Sequence, residues 1–345
     1  MNESRIFEKE KKNEKEKMRK KEKKNEKEKI NKKEIKEKEK KLVSFFQNLK
    51  LENKKAVIAF SGGVDSSVLS YFARETKDLK CVAVTFKTEF VKKSDIDSAK
   101  KTAKEIGIEH VVLKYNIFDK EKIYNKNEIY NKDKIYNKNE IYNKDEIHKN
   151  VNEKIIKNDL NRCYFCKKNM YGHLKSYALE NGFDIIIDGT NFDDSKEYRP
   201  GKKALEELQN FVLSPLNELK ITKEDVRKIA KVKGLSVFDK TSESCLATRF
   251  EYEMKLDKKL IKTVDKFESF LKDIGFSNVR VRVHSVGLKR KKLFRIEVDS
   301  KEIKKIFKEE NLISINKEIE KIKEIENISY VTIDLIGFKS GSMDY

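Results

Sequence analysis

The sequence predicts an α/β fold, a doubly wound parallel sheet with a smaller C-terminal α+β domain. Three observations predict it. Short apolar runs recur between helix-length segments, at AVIAF (56–60), CVAVTF (81–86), HVVLKY (110–115) and DIIID (184–188). They are continuously apolar rather than alternating, as strands covered on both faces are. A Gly-Gly turn follows the first run directly, and repeated strand–helix units build parallel sheets.

Taken in order, AVIAF is the first strand, and a helix runs from about Asp65 to Arg74. CVAVTF is the second strand; a helix near 94–106 ends before Gly107, and HVVLKY is the third strand. A helix from about Tyr164 to Glu180 is closed by Gly182 and leads to DIIID. After Pro215, Thr222 with Asp225 three residues on is a capping box that opens a helix to Val232. From about 251 the pattern changes: a helix (257–273), VRVRVHSV (279–286), FRIEV (294–298), helices near 301–309 and 315–325, and a last strand over 329–338. The expected organisation is a charged tail (1–41), a nucleotide-type domain (42–250) and the α+β domain (251–345).

Two segments stand outside this pattern. Residues 1–41 hold 19 Lys/Arg against 11 Asp/Glu, with apolar residues too sparse for a coiled-coil seam. A solvated, frayed tail is expected. From Ile123 a six-residue unit repeats as IYNKNE, IYNKDK, IYNKNE and IYNKDE. That period fits neither a helix face nor a solenoid, so an inserted loop over about 119–157 is expected.

The net charge of +20 is compatible with polyanions. It reads as solvation and a Lys-rich composition rather than a nucleic-acid site, and nucleic acid is not an expected partner. No apolar run reaches the ~18 residues of a membrane span, and the start lacks the apolar stretch of a signal peptide. A cytoplasmic location is expected.

The most specific segment is Ser61-Gly62-Gly63-Val64-Asp65-Ser66-Ser67, placed after a strand and opening a helix. Glycines allow a sharp turn and close approach to an anion, and the helix start supplies free N–H groups and a positive dipole end. Ser61, Ser66 and Ser67 can add hydroxyl donors. There is no Walker-type lysine in the loop, which excludes a kinase- or GTPase-type site.

The second constellation is made of thiols. Cys163 and Cys166, in RCYFCK, stand one helical turn apart, and Cys245 opens the segment Cys245-Leu246-Ala247-Thr248-Arg249. Arg249 stands where it can hold a phosphate or favour a thiolate. Several chemistries fit. The three thiolates can hold three irons of a 4Fe–4S cluster, leaving one iron open to an extra sulfide. Cys245 can give up its own sulfur, or Cys163 and Cys166 can form a persulfide redox pair. A zinc site would need a fourth ligand, for which His173 is a candidate. Cys81 lies in a predicted core strand and reads as a buried small hydrophobe.

SGGVDSS matches the signature of the PP-loop ATP pyrophosphatases, which implies a HUP-like fold and cleavage of ATP between its α- and β-phosphates. There the loop holds the departing pyrophosphate, with Asp65 near Mg2+. Further motifs resemble the ATP-dependent sacrificial sulfur transferases called LarE: RCYFCK (162–167), DGTNFDDSKEYRPG (188–201), SPL (214–216), DK followed by CLATR (239–249), GFSNVRVRVH (275–284) and RIEV (295–298). The resemblance implies adenylation of a carboxylate of pyridinium-3,5-biscarboxylic acid mononucleotide, then replacement of AMP by sulfur, on the way to the nickel-pincer cofactor of lactate racemase. It implies that Thr190, Asn191, Asp194 and Arg199 lie near the activated group or AMP. It also implies that Cys163, Cys166 and Cys245 serve as in members with a three-cysteine 4Fe–4S site, and that the protein is a homo-oligomer. Arg280, Arg282 and His284 share a strand face that suits either a phosphate or solvent.

Two other enzymes share parts of this pattern. A cluster-dependent tRNA thiolase also joins a PP-loop to three cysteines, but its loop carries Lys where this one has Val64. An ammonia-using synthetase of the NAD or GMP type would not need the cysteines. A zinc-bearing nucleic-acid binder would leave the loop unexplained.

Overall fold

The computed structural model describes residues 32–118, 145–194, 200–241, 243–326, 328–339 and 341–343. Five strands form a parallel sheet in the order β3-β2-β1-β4-β5. They are β1 (Lys55–Ala59), β2 (Lys80–Lys87), β3 (Glu109–Lys114), β4 (Ile185–Ile187) and β5 (Val212–Leu213). Val57 of β1 stands opposite Val82 of β2 and Ile186 of β4, so β1 is central.

Successive side chains of these strands enter different cores. Ala56 and Ile58 join Val68, Leu69 and Phe72 of α2 (Val64–Glu75), with α3 (Lys93–Ile106) and α8 (Lys223–Val232) beside them. Val57, Val82 and Ile186 face Tyr171, Leu174 and Ala178 of α5 (Arg162–Glu180) on the other face, with Leu205 of α6 (Pro200–Glu206). Burial on both faces is why the strands are apolar throughout. The expected doubly wound sheet is present.

Residues assigned by charge to the tail continue the fold: α1 (32–47) buries Ile35, Leu42 and Phe46 in the α2 core. Lys38 pairs with Asp225 of α8 at 2.5 Å. Most of the expected insertion, 119–144, lies outside the described residues. Its last part is α4 (Asp145–Lys157), with Ile155 fully buried. Ile155 is an apolar point that survives in a polar stretch, and it fixes the helix to the core.

The expected capping box is formed: Thr222 and Asp225 bond each other's backbone N–H at the start of α8. Three short elements escaped the pattern, β5, α6 and α7 (Pro215–Glu218), each too short to show a period.

In the C-terminal region β6 (Arg280–Val286) pairs antiparallel with β7 (Lys291–Glu297), and β7 pairs parallel with β8 (Ile328–Ile333). α9 (Lys258–Asp273) lays Val264, Phe267 and Leu271 on this sheet. The predicted helix near 301–309 is a 3-10 turn and the short α10 (Ile303–Ile306), and α11 (Glu309–Glu326) starts earlier than expected. Leu246, Phe250 and Phe90 belong to the same apolar cluster as Phe267 and Phe294. The chain after the cysteine turn therefore packs directly on the second sheet. No described helix is long and apolar enough to cross a membrane.

Candidate active site

β1 delivers the chain to the phosphate loop, where Phe60 N donates to the Val84 carbonyl at 2.8 Å. Gly62 then takes φ +68°, a left-handed conformation costly to residues with a Cβ. It is also pressed on α3, where a Cβ would lie 2.6 Å from Cα of Ala99. Gly63 is the N-cap of α2, and no side chain caps that end. The first-turn amides and the helix dipole are thus left for an external anion.

The serines divide their work. Ser66 Oγ accepts from Ser61 N at 3.3 Å and donates to the Gly63 carbonyl at 3.2 Å. Ser67 Oγ donates to the same carbonyl at 2.8 Å. Both are buried, and they brace the loop. Ser61 is exposed and its Oγ accepts from Gly63 N at 3.2 Å. Val64 is core.

Asp65 is reached from two segments, α8 and the loop after β4. The Lys223 ammonium donates to its carboxylate, and Asn191 Nδ2 donates at 3.3 Å. Burial pushes the Asp65 carboxyl above its ordinary range; the Lys223 charge opposes this and the Asp194 charge adds to it. Asn191 is buried, and its Oδ1 accepts from the N–H groups of Asp193 (2.9 Å) and Asp194 (3.2 Å). Thr190 N is held by Asp188 Oδ1 at 2.8 Å. A Cβ at Gly189 would stand 3.4 Å from Ser66 N, so the end of β4 abuts the loop. Asp65 and Asp194 are carboxylates, the hard donors that Mg2+ takes together with phosphate oxygens, and they fit that ion. Arg199 lies outside the described residues.

Two lysines were given no role by sequence: Lys223 lies in no quoted motif, and Lys240 only in the DK that precedes CLATR. Lys223 is the first residue of α8, and its backbone N–H is fixed by Asp193 Oδ2 at 2.9 Å. Lys240 Nζ donates to the Gly62 carbonyl at 3.2 Å and to Ser98 Oγ at 2.8 Å. The packing of α8 beside α2 brings Lys223 in; among 79 Lys and Arg no spacing could mark it.

The thiols come from two segments. Cys163 is exposed in the first turn of α5, and Cys245 is exposed as the N-cap of the 3-10 turn Leu246–Arg249. Arg162 joins them: its buried guanidinium donates to the Ala247 carbonyl at 3.1 Å and to Cys163 Sγ at 3.5 Å. Burial opposes that charge, yet the sulfurs of Cys245 and Cys163 hold the guanidinium above its usual value. Cys166 is turned to Met170 Sδ at 3.8 Å, and burial, with the neighbouring Cys245 and Cys163, pushes its thiol up to about 12. Among the described residues no three Cys, His, Asp or Glu side chains converge as a metal ion needs. The thiols are neighbours, but as arranged, with Cys166 turned to Met170, they do not fit a cluster. Cys81 in β2 packs against the core, as expected, with its thiol raised by burial to about 12.

Arg249, expected at a phosphate, stands elsewhere. It is fully buried. Its Nε donates to Glu268 at 2.7 Å, and its Nη1 donates to the carbonyls of Ser244 (3.1 Å) and Cys245 (3.3 Å). Its donors are committed to Glu268 of α9 and to the base of the cysteine turn. Arg280 and Arg282 are likewise buried rather than solvated, the latter bonded to Glu297 Oε2 at 3.0 Å.

The asparagine synthase family matches residues 50–125, the stretch that holds the phosphate loop. The uncharacterized protein slr1717 of Synechocystis is 30% identical over 88% of this chain and 98% of its own length. The uncharacterized protein MJ0830 of Methanocaldococcus jannaschii is 31% identical over 79% of this chain and 90% of its own. A pyridinium-3,5-bisthiocarboxylic acid mononucleotide synthase of Lactiplantibacillus plantarum is 28% identical over 84% of this chain and 89% of its own length. With an uncapped Gly-Gly loop on a parallel sheet and relatives matched almost end to end, the chain belongs to the family of slr1717 and MJ0830, within the PP-loop ATP pyrophosphatases.

Proposed function

We propose that the protein is an ATP-dependent sulfur transferase that adenylates a carboxylate of pyridinium-3,5-biscarboxylic acid mononucleotide, releases pyrophosphate and replaces AMP by sulfur. The observation that carries this reading is Arg162, which joins Cys163 to the Cys245 turn in the same fold as the open phosphate loop. The similarity to the L. plantarum synthase supports the choice of acceptor.

The residues divide into two sets. The amides of the 61–67 loop would receive the pyrophosphate, with Lys223 and Lys240 as nearby cations. Mg2+, held by Asp65 with Asp194, would neutralise phosphate charge when bound. Thr190 and Asn191 would border the activated carboxylate. Carboxylate oxygen leaves poorly, and adenylation converts it to a leaving group that sulfur can displace. Cys245 would be the sulfur-bearing residue, with Cys163 as its neighbour. The reading expects a homo-oligomer in the cytoplasm, a small nucleotide substrate and no nucleic acid.

The test is pyrophosphate release from ATP with this mononucleotide as acceptor, with mass analysis of the product. Replacement of a carboxylate oxygen by sulfur supports the reading. Product formation undiminished in Cys245→Ala and in Cys163→Ala would overturn it. Iron and acid-labile sulfide in anaerobically purified protein separate a cluster from Cys245 as the source.

A further inference from the structure

Glu268 lies in α9, outside the phosphate loop and both cysteine segments, and only 1% of it is exposed. Its carboxylate accepts from Arg249 Nε at 2.7 Å and Nη2 at 3.1 Å, from Lys92 Nζ at 2.6 Å and from Val281 N at 2.9 Å. Charges removed from water this fully persist only with close, well-aligned partners, and each of the three has them.

The three charges come from different parts of the chain. Lys92 is the N-cap of α3, whose Ala99 is the surface against which Gly62 is pressed. Arg249 closes the turn after Cys245 and holds the carbonyls of Ser244 and Cys245, as well as Ser244 Oγ at 2.7 Å. A backbone bond from Leu246 N to the Phe90 carbonyl at 2.9 Å ties the same two segments. One carboxylate thus spans the support of the nucleotide loop and the base of the cysteine turn. The loop has independent bonds through Lys240, Ser66 and Ser67 that do not pass through Glu268.

We propose that Glu268 is a positioning residue for sulfur delivery, which fixes the Cys245 turn against the α3 shoulder of the phosphate loop through Arg249 and Lys92. This rests on the sulfur-transfer reading and adds that Glu268 serves the second half-reaction and not the first. It touches neither substrate nor the reacting sulfur; its effect is the placement of Cys245.

The experiment uses the full chain with Glu268→Gln, which keeps the shape and removes the charge, and Lys92→Met, which leaves Glu268 paired with Arg249. ATP–pyrophosphate exchange, the kcat and KM of thio-product formation, and amide hydrogen exchange are measured in each. Pyrophosphate exchange is expected to stay within about twofold of wild type, while kcat for the thio product falls about tenfold to a hundredfold. Amide exchange over 244–250 is expected to rise about tenfold, with 61–67 unchanged. Glu268→Asp should recover part of the kcat. If Glu268→Gln fails to fold, Lys92→Met carries the same comparison. Equal losses in both half-reactions, or 244–250 exchanging at the wild-type rate in a folded variant, would overturn the proposal. If the turn loosens but wild type makes no thio product, the anchoring stands and the sulfur-transfer reading fails.

Discussion

The Lys223 ammonium donates to the Asp65 carboxylate at the mouth of the phosphate loop, joining the first turns of α8 and α2. This contact balances a carboxyl that burial alone would hold protonated to a higher pH. It places a cation and an anion side by side where triphosphate and Mg2+ would both arrive.

Lys223→Met should therefore weaken nucleotide binding on two counts, by removing a cation and by leaving Asp65 harder to ionise. We expect KM for ATP to rise about tenfold, with a far smaller effect of Lys223→Arg. Pyrophosphate-exchange kinetics check this, and an unchanged KM would assign Lys223 to structure alone.

Gly62→Ala combines two penalties. A left-handed residue with a Cβ costs about 1–2 kcal/mol, and the added carbon meets the α3 backbone at Ala99. We expect lost stability in urea denaturation together with lost pyrophosphate exchange. Gly234→Ala, also at positive φ but with open space around it, should lose stability and keep exchange.

Thiol labelling should divide the cysteines by exposure. At pH 8, iodoacetamide is expected to modify Cys163 and Cys245, which are exposed. Cys166 and Cys81 should stay unmodified in the folded chain, because burial pushes both thiols up to about 12. Peptide mass mapping reads the result, and rapid labelling of Cys166 would contradict its placement against Met170.

Stability should fall in two steps on acidification. Thr85 Oγ1 gives its hydrogen to the Phe60 carbonyl at 2.6 Å, so His110 Nε2, at 2.8 Å, must be the donor to Thr85. Burial, with Lys100 adding to it, lowers His110 from 6.5 to about 4. The unfolded chain takes up that proton first, so stability declines as pH falls from 6.5 toward 4. Glu268 works in the lower window: burial opposes ionisation, but Arg249 and Lys92 prevail and hold it at about 2 against 4.5. Its contribution is full above 4.5 and is lost as pH falls toward 2. Thermal melts across this range should show His110→Gln flattening the upper step and Glu268→Gln the lower.

Four of the five strands of the first sheet, the loop at 61–67 and the capping box at 222–225 were legible in the amino-acid order, because each depends on neighbours a few residues apart; β5, two residues long, was not. Gly62 and Gly63 announce a turn wherever they fall after an apolar run, and Thr222 with Asp225 announces a helix start. The two cysteine segments were legible as chemistry for the same reason. Their meeting through Arg162 was not, since the Ala247 carbonyl lies 85 positions along the chain. Lys223 was one cation among many until α8 packed beside α2. Arg249 pointed to phosphate by type, yet burial spent its donors on Glu268 and on the turn that carries Cys245. Short-range pattern is written in spacing; which charges lose their water and find one another is settled by packing, and no run of residues records it.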